Sequence, residues 1–133
     1  MSADFNLLDC WLLIVDDSPI NHRVVTLSLR GKFAGIDSAY NGQESIDKYR
    51  VKHYDVILMD GRMPVMDGFR ATTGIRLYEK EKGLEKKAKI IAMTAGDEDR
   101  DIDRCLSAGM DAYLGKPFSA RQFLSVLERL FKK

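Results

Sequence analysis

The chain has 133 residues, enough for one compact domain with a buried core and little room for a second. Lysine and arginine (21) nearly balance aspartate and glutamate (20), so the sequence lacks the basic excess of a nucleic-acid-binding surface. Two cysteines, Cys10 and Cys105, are too few for a disulfide framework or a zinc site, and no apolar run approaches the roughly 20 residues that cross a bilayer. We therefore expect a soluble, cytoplasmic chain whose thiols are structural.

In chain order, short apolar runs alternate with amphipathic segments. The predicted strands are 11–15, a weaker one at 35–40, then 56–59, 90–93 and 112–114, and each is followed by a helical pattern. Short strands that are apolar throughout are typical of a parallel sheet covered on both faces. The alternation therefore predicts a doubly wound α/β fold of five strands and five helices.

Local signals add predictions about the helices. Ile20, Val24 and Leu27 share one face of the first helix, which Asp17 or Ser18 can cap. The residues at 67–68 form a cap and a tight turn that start the third helix.

Burial can also be predicted for a few side chains. Ile102, Cys105 and Leu106 are expected on the buried side of the fourth helix. His22 and His53 belong to helix or loop segments, and we interpret both as surface residues.

Polar side chains follow the strongest strands at the point where each strand ends. In an open parallel α/β sheet, ligands bind beyond the carboxyl ends of the strands. The residues in question are Asp16 and Asp17 after the first strand, Asp60 after the third, Thr94 after the fourth and Lys116 after the fifth. Folding should therefore gather three acids, one hydroxyl and one amine in a small volume.

This set of groups predicts phosphoryl chemistry. Carboxylates held a few ångströms apart repel one another unless a cation or a proton intervenes, and an oxygen-only set suits Mg²⁺. Lys116 supplies a charge that can pair with a phosphoryl group, and Thr94 offers a donor to a phosphoryl oxygen. Because a carboxylate is ionised at pH 7 and needs no general base, Asp60 is the predicted nucleophile.

The motifs around these residues resemble those of receiver domains of two-component response regulators, the CheY-like superfamily. They are DD at 16–17, LMDGRMPVMDG around Asp60, MTAG with Thr94, Tyr113, and GKPF with Lys116. Each motif is weak alone, but together, in this order and at these strand ends, they are specific. The resemblance implies a flavodoxin-like strand order of 2-1-3-4-5, with residues 11–133 as the receiver and 1–10 as a leader.

The resemblance also implies roles at the site. Asp60 would accept a phosphoryl group from a histidine kinase or a histidine phosphotransfer domain. Asp17, Asp60 and the backbone carbonyl of Arg62 would bind Mg²⁺, and Asp16 would act largely through water. Apart from the resemblance, Arg62 follows Asp60 by two positions, so we expect its side chain to overhang the site, screen the acyl phosphate and slow its hydrolysis.

A switch is implied as well. Thr94 and Lys116 would hold the phosphoryl oxygens, and the peptide bond at 116–117 would be cis. Movement of Thr94 would let Tyr113 turn inward and change the face formed by the fourth helix, fifth strand and fifth helix, where a homodimer can form. Asn21 and the long stretch before the fourth strand most resemble receivers of hybrid histidine kinases. A phosphorelay is therefore the preferred context, with the chain cytoplasmic by itself or as part of a membrane-bound kinase.

Other functions fit parts of the pattern. A haloacid-dehalogenase-like phosphatase places Asp-x-Asp after its nucleophile strand, where this chain has Asp60-Gly61-Arg62. A flavodoxin-like electron carrier needs a phosphate loop where Asp16 and Asp17 would repel the phosphate. A pseudo-receiver that only mediates protein contacts stays open as the alternative, although no member of the site is missing. Enzyme status is also left open, because a receiver catalyses its own phosphorylation and slow dephosphorylation without conventional turnover.

Overall fold

The computed structural model describes residues 6–61, 63, 65–94, 99–116 and 118–131, and side chains 94 and 99–102 lie outside that description. Its strands are β1 (Trp11–Val15), β2 (Gly35–Ala39), β3 (Val56–Asp60), β4 (Lys89–Thr94) and β5 (Ala112–Gly115). Its helices are α1 (Pro19–Leu29), α2 (Gly42–Val51), α3 (Gly68–Lys82), α4 (Asp99–Ala108) and α5 (Ala120–Phe131). Within the described ranges, no helix is both long and apolar enough to cross a membrane.

The strands form one parallel sheet in the order β2-β1-β3-β4-β5, which confirms the predicted doubly wound α/β fold. β3 lies at the centre of the sheet, and all of its residues are buried. Because neither face of a central strand meets water, alternation between polar and apolar residues disappears there. The uniform apolarity of this run in the sequence has that origin.

Side chains of successive strand residues enter two separate core layers. One layer lies under α2, α3 and α4 and includes Leu13, Ile57, Ile90, Ile75 and Cys105. The other lies under α1 and α5 and includes Leu12, Leu58, Ile91, Leu29 and Phe123. Full burial of one such aliphatic side chain stabilises the fold by roughly 1.5–3 kcal/mol, so the two layers hold the helices against the sheet.

Helix starts agree with the capping signals in the sequence. Four caps accept a backbone N–H from the first turn of an α-helix: Ser18 from Asn21, Asn41 from Glu44, Asp67 from Arg70, and Ser119 from Gln122. Each such cap is worth about 1 kcal/mol, because it satisfies a donor that the helix itself cannot. The Ser18 cap begins α1 shortly after the end of β1. The Asp67 cap begins α3 at the end of the loop that follows β3.

The inward face of α1 differs from the apolar face predicted for it. Ile20, Val24 and Leu27 do share one face, but they are 74%, 57% and 57% exposed. The buried face carries His22 and Leu29 instead. Two apolar stripes compete on this short helix, and its packing against the sheet and α5 selects one of them.

Two burial predictions are wrong for related reasons. His22 is only 4% exposed rather than at the surface, because its ring has a backbone hydrogen-bond acceptor and an aromatic neighbour inside the protein. Leu106 is 55% exposed, since the adjacent Cys105 takes the inward position on α4. His53 is exposed, as predicted, and both cysteines are buried.

Candidate functional site

Strand pairing brings Asp16 and Asp60 together. β1 and β3 run parallel with Val15 opposite Met59, so Asp16 and Asp60, one residue further along each chain, leave the sheet at the same level. Both residues are buried, at 1% and 7% exposure, although aspartate is almost never fully buried without a partner. Their environment must therefore compensate two negative charges.

A third carboxylate completes an acidic cluster. Asp16, Asp17 and Asp60 each offer an oxygen within 4.8 Å of the others, with Asp17 exposed to solvent. At such separations the carboxylates repel one another, and a nearby cation favours their charged form. The cluster is open on the side of Asp17, where an ion from solvent can enter.

Lys116 places an ammonium group beside the two buried acids. It follows β5 in the chain, and its Nζ lies 3.3 Å from Asp16 Oδ2 and 3.5 Å from Asp60 Oδ2. The four-carbon stem of lysine lets a residue at the edge of the sheet reach its centre. One ammonium balances one of the three carboxylates, and the oxygens of these acids are ligands that suit a divalent cation.

The Asp16 carboxylate also accepts hydrogen bonds from the start of α1, in addition to its contact with Lys116. Ser18 N donates to Asp16 Oδ1 at 2.9 Å, and Asn21 Nδ2 donates to Asp16 Oδ2 at 3.1 Å. With Lys116 also on Oδ2, both oxygens of Asp16 accept hydrogen bonds within the protein. The Asp16 carboxylate is thus held on both of its oxygens.

The loop after Asp60 returns tightly to the end of β3. Gly68 N donates to Gly61 O at 3.2 Å, and a Cβ at position 68 would lie 2.2 Å from the carbonyl oxygen of Asp60. Asp67 caps α3, as predicted, but Gly68 is required for this close approach and not for a positive φ. Any larger side chain would push α3 away from the phosphoacceptor candidate.

The same loop contains a residue in a strained conformation. Val65 has φ 71°, in the left-handed region, and is 82% exposed. For a β-branched residue this conformation costs roughly 1–2 kcal/mol, because Cβ comes too close to the following carbonyl oxygen. Strain is therefore stored five residues after Asp60.

The remaining predicted site residues have different outcomes. Thr94 ends β4 in register with Gly115, one step beyond the pair of Asp60 with Met93, but its side chain lies outside the described residues. Arg62 and the residue at 117 also lie outside them. Tyr113 belongs to β5 and is 44% exposed, with its ring outside the core.

Two contacts on Asp16 were not predicted as part of the site. Asn21 binds its carboxylate, and His22 Nε2 lies 2.6 Å from its backbone oxygen. The order of elements in the sequence could have predicted these contacts. When a helix begins directly after a strand, its first turn lies beside the end of that strand. Residues five and six positions after Asp16 are therefore candidates for contact with it.

The sequence from residue 12 to residue 128 matches the family model of the response regulator receiver domain. The chain belongs to this family. The match spans both sides of the site, from the strand before Asp16 to the last helix. This receiver domain therefore has the predicted family, sheet order and acidic cluster.

Similar proteins carry receivers of the same kind. Hybrid signal transduction histidine kinase B of Dictyostelium discoideum is 37% identical over 120 residues, which cover 85% of this chain and 6% of that kinase. The receiver domain of sensor histidine kinase PA1611 from Pseudomonas aeruginosa, solved with a magnesium ion in its active site cleft, is 34% identical with a TM-score of 0.78, covering 94% of this chain and 99% of that one. A mutant receiver domain of the Arabidopsis thaliana histidine kinase CKI1 is 28% identical with a TM-score of 0.81, covering 95% and 92%. The receiver thus spans a small part of that Dictyostelium kinase and nearly all of the two isolated receiver structures.

Proposed function

We propose that this receiver accepts a phosphoryl group on Asp60 from a phosphohistidine and changes its surface in response. The observation that carries the proposal is the position of Asp60, a buried strand-end carboxylate with the Lys116 ammonium 3.5 Å away and two further acids within 4.8 Å. A carboxylate in this place is held at the end of a buried strand, and it adjoins an opening to solvent at Asp17.

The acidic cluster is proposed to bind Mg²⁺. Its three acids supply only oxygen ligands, which this ion prefers, and the related receiver of PA1611 carries a magnesium ion in its active site cleft. Asp17 and Asp60 would ligate it directly, together with the backbone carbonyl of Arg62. Asp16 would act through water, because its oxygens are already engaged. When bound, the ion supplies positive charge that offsets charge developing on the transferred group.

Asp60 and Lys116 have different roles in the proposed phosphoryl transfer. An oxygen of Asp60 attacks phosphorus while the bond from phosphorus to the histidine nitrogen breaks, and the nitrogen keeps the electron pair. Lys116 lies where it can hold a phosphoryl oxygen, because its Nζ already contacts Asp60 Oδ2. The step needs positioning and charge neutralisation rather than a base, as in phosphoryl transfer generally.

The consequence of phosphorylation is proposed to appear on the face of α4, β5 and α5. A phosphoryl group adds roughly −1.5 to −2 charges and new acceptor oxygens at Asp60. Thr94, at the end of β4, would move toward them, and Tyr113, now 44% exposed, would turn into the space that Thr94 leaves. A homodimer through this face is one form that the output can take.

The partner is proposed to be a histidine kinase or a histidine phosphotransfer domain that docks on α1. The exposed apolar residues Ile20, Val24 and Leu27, here called the α1 stripe, begin next to Asp17 and extend about 10 Å along the helix. A protein donor must approach this close to the site, because its phosphohistidine has to reach Asp60. A continuous apolar stripe at that position fits the buried core of such a contact.

Phosphorylation can be tested with acetyl phosphate and Mg²⁺. Intact mass should rise by one phosphoryl group, and the adduct should be acid-stable and base-labile. Asp60→Asn should abolish it, and Asp47→Asn, an exposed acid on α2, should not. Absence of label in the wild type would favour the pseudo-receiver, and steady turnover of many phosphoesters would favour a phosphatase.

The docking surface has its own test. Val24→Asp should slow transfer from a phosphorylated histidine phosphotransfer domain about tenfold or more, the effect of losing a central interface contact. Labelling by acetyl phosphate should not change. Leu77→Asp, at a 54% exposed apolar position on α3, is the matched control and should leave both reactions unchanged. Equal transfer to the Val24 variant and the wild type would exclude the α1 stripe.

A further inference from the structure

His22 is a buried polar side chain that the phosphotransfer scheme does not use. It lies on the first turn of α1, is 4% exposed, and packs its ring against Tyr40 with 4.4 Å between centroids. Its Nε2 is 2.6 Å from the backbone oxygen of Asp16. A carbonyl oxygen can only accept, so Nε2 must carry the hydrogen and donate it.

The acceptor of this bond belongs to the peptide group that joins Asp16 to Asp17. On the preceding side, Asp16 N donates to Ala39 O at 3.1 Å, which continues the pairing of β1 with β2. On the following side, Ser18 N returns to the Asp16 carboxylate. Among the described residues, His22 is the one whose hydrogen bond holds the 16–17 peptide itself, and this bond restrains the direction in which the chain presents Asp17.

Asp17 depends on this backbone restraint more than its neighbours do. Asp16 is buried and accepts hydrogen bonds on both carboxylate oxygens, whereas Asp17 is exposed. Within the parts of the chain that the structure describes, no hydrogen bond or ion pair holds the Asp17 side chain. Its place within 4.8 Å of the other two acids is set by the backbone.

Packing alone does not account for a histidine at this position. Its second ring nitrogen, Nδ1, is buried and has no hydrogen-bond partner among the described residues. A buried polar atom without a partner costs free energy, and a leucine or methionine would fill the same space without that cost. The gain that offsets the cost must come from the Nε2–H bond to Asp16.

We propose that His22 is a positioning residue of the divalent-cation site: by donating to the Asp16 carbonyl it orients the Asp16–Asp17 peptide and raises the affinity of the acidic cluster for Mg²⁺. The inference rests on the proposed function, since it requires that the cluster bind Mg²⁺. In this role His22 does not bind the ion but holds the backbone that carries two acids of the cluster. Loss of such partners typically lowers metal affinity by about 10- to 100-fold.

Two variants separate the hydrogen bond from the packing. His22→Leu keeps the bulk and removes the donor, whereas His22→Gln keeps an N–H that can reach the same carbonyl. Mg²⁺ titrations followed by the NMR shifts of the Asp17 and Gly61 amides should show affinity about tenfold or more lower for His22→Leu. The affinity of His22→Gln should stay within about threefold of wild type, as expected when the second-shell donor is retained. Urea unfolding in EDTA should show that His22→Leu still unfolds cooperatively with the m-value of wild type, so a general loss of structure cannot explain its weaker binding.

Several results would overturn the proposal. Equal Mg²⁺ affinity in His22→Leu and wild type would do so, as would His22→Gln binding as weakly as His22→Leu. A long-range ¹H–¹⁵N correlation spectrum of the wild type must show the hydrogen on Nε2, and a hydrogen on Nδ1 alone refutes the bond even if a variant fails to fold. A wild-type protein that does not bind Mg²⁺ would remove the proposed function along with this inference, whereas normal wild-type binding with an unaffected His22→Leu would remove only the inference.

Discussion

Replacing Asp60 by asparagine should make the folded protein more stable when Mg²⁺ is absent. In that condition, among the residues that the structure describes, the Asp60 carboxylate lies beside two like charges, Asp16 and Asp17, and the opposite charge of Lys116. Asparagine keeps the shape of the side chain, removes its negative charge and replaces one acceptor oxygen with an NH2 donor. The perturbation therefore tests mainly the electrostatic cost of the cluster.

The structure gives the size of the effect. Each carboxylate pair within 4.8 Å repels by at least about 3.5 kcal/mol at an effective dielectric constant of about 20. Attraction across the 3.5 Å between Lys116 Nζ and Asp60 Oδ2 is about 4.7 kcal/mol on the same scale. The two repulsions exceed the attraction by about 2 kcal/mol, and solvent screening of the exposed Asp17 reduces the excess to about 1 kcal/mol. Asp60→Asn should therefore gain about 1–2 kcal/mol.

Urea unfolding followed by circular dichroism, in EDTA and in saturating Mg²⁺, measures this difference. In EDTA, Asp60→Asn should unfold at higher urea with an unchanged m-value. Mg²⁺ at 100 times its dissociation constant should add about 2.7 kcal/mol to the wild type and much less to Asp60→Asn, which reverses their order. Asp47→Asn, at an exposed site, should stay within about 0.5 kcal/mol in both buffers. A less stable Asp60→Asn in EDTA, or an equal response of both proteins to Mg²⁺, would refute the electrostatic account.

Other features of the structure predict further outcomes. Val65→Asn should raise the free energy of unfolding by about 1 kcal/mol in urea, because asparagine tolerates the left-handed φ of 71° better than valine does. Glu79 is 1% exposed and lies 2.8 Å from Arg76 Nη1. Arg76→Met should lower the free energy of unfolding by about 3–5 kcal/mol in the same assay, because it leaves Glu79 as a buried charge without its cation. Burial raises the pKa of the Cys10 thiol to about 11, so iodoacetamide at pH 9 should modify Cys10 only in unfolded protein, as read by peptide mass. The same shift is a stabilising contribution that is complete below about pH 9 and is lost as the pH rises toward 11.

Controls for these variants are available in the chain. Val51→Asn, at an 88% exposed valine that ends α2, should not stabilise the protein, and an equal gain there would remove the strain argument. Arg70→Met, at an exposed position of α3, should cost within about 0.5 kcal/mol, and a loss equal to that of Arg76→Met would mean that the Glu79 pair is not responsible. Modification of Cys10 in the folded protein at the rate of an exposed thiol would contradict its burial.

The strand ends show why part of the site could be predicted. Asp16, Asp60 and Lys116 each follow an apolar run, and parallel strands leave a sheet at one edge, so position in the chain already implied position in space. His22 could not be placed this way, because whether a helical histidine faces solvent or core depends on which side of α1 meets the sheet. The same ambiguity hid the exposure of Val24, since α1 carries apolar residues on more than one face.

Sequence alone determined the fold class, the family and the acids that gather, because apolar runs, caps and strand-end residues are local signals with one consistent α/β solution. Tertiary structure decided which face of α1 is buried, that Gly68 must be glycine, and that Val65 is strained. It also decided that His22 holds the peptide between the first two acids. These features depend on contacts between segments distant in the chain, and such contacts are set by how the elements pack rather than by the residues at any one position.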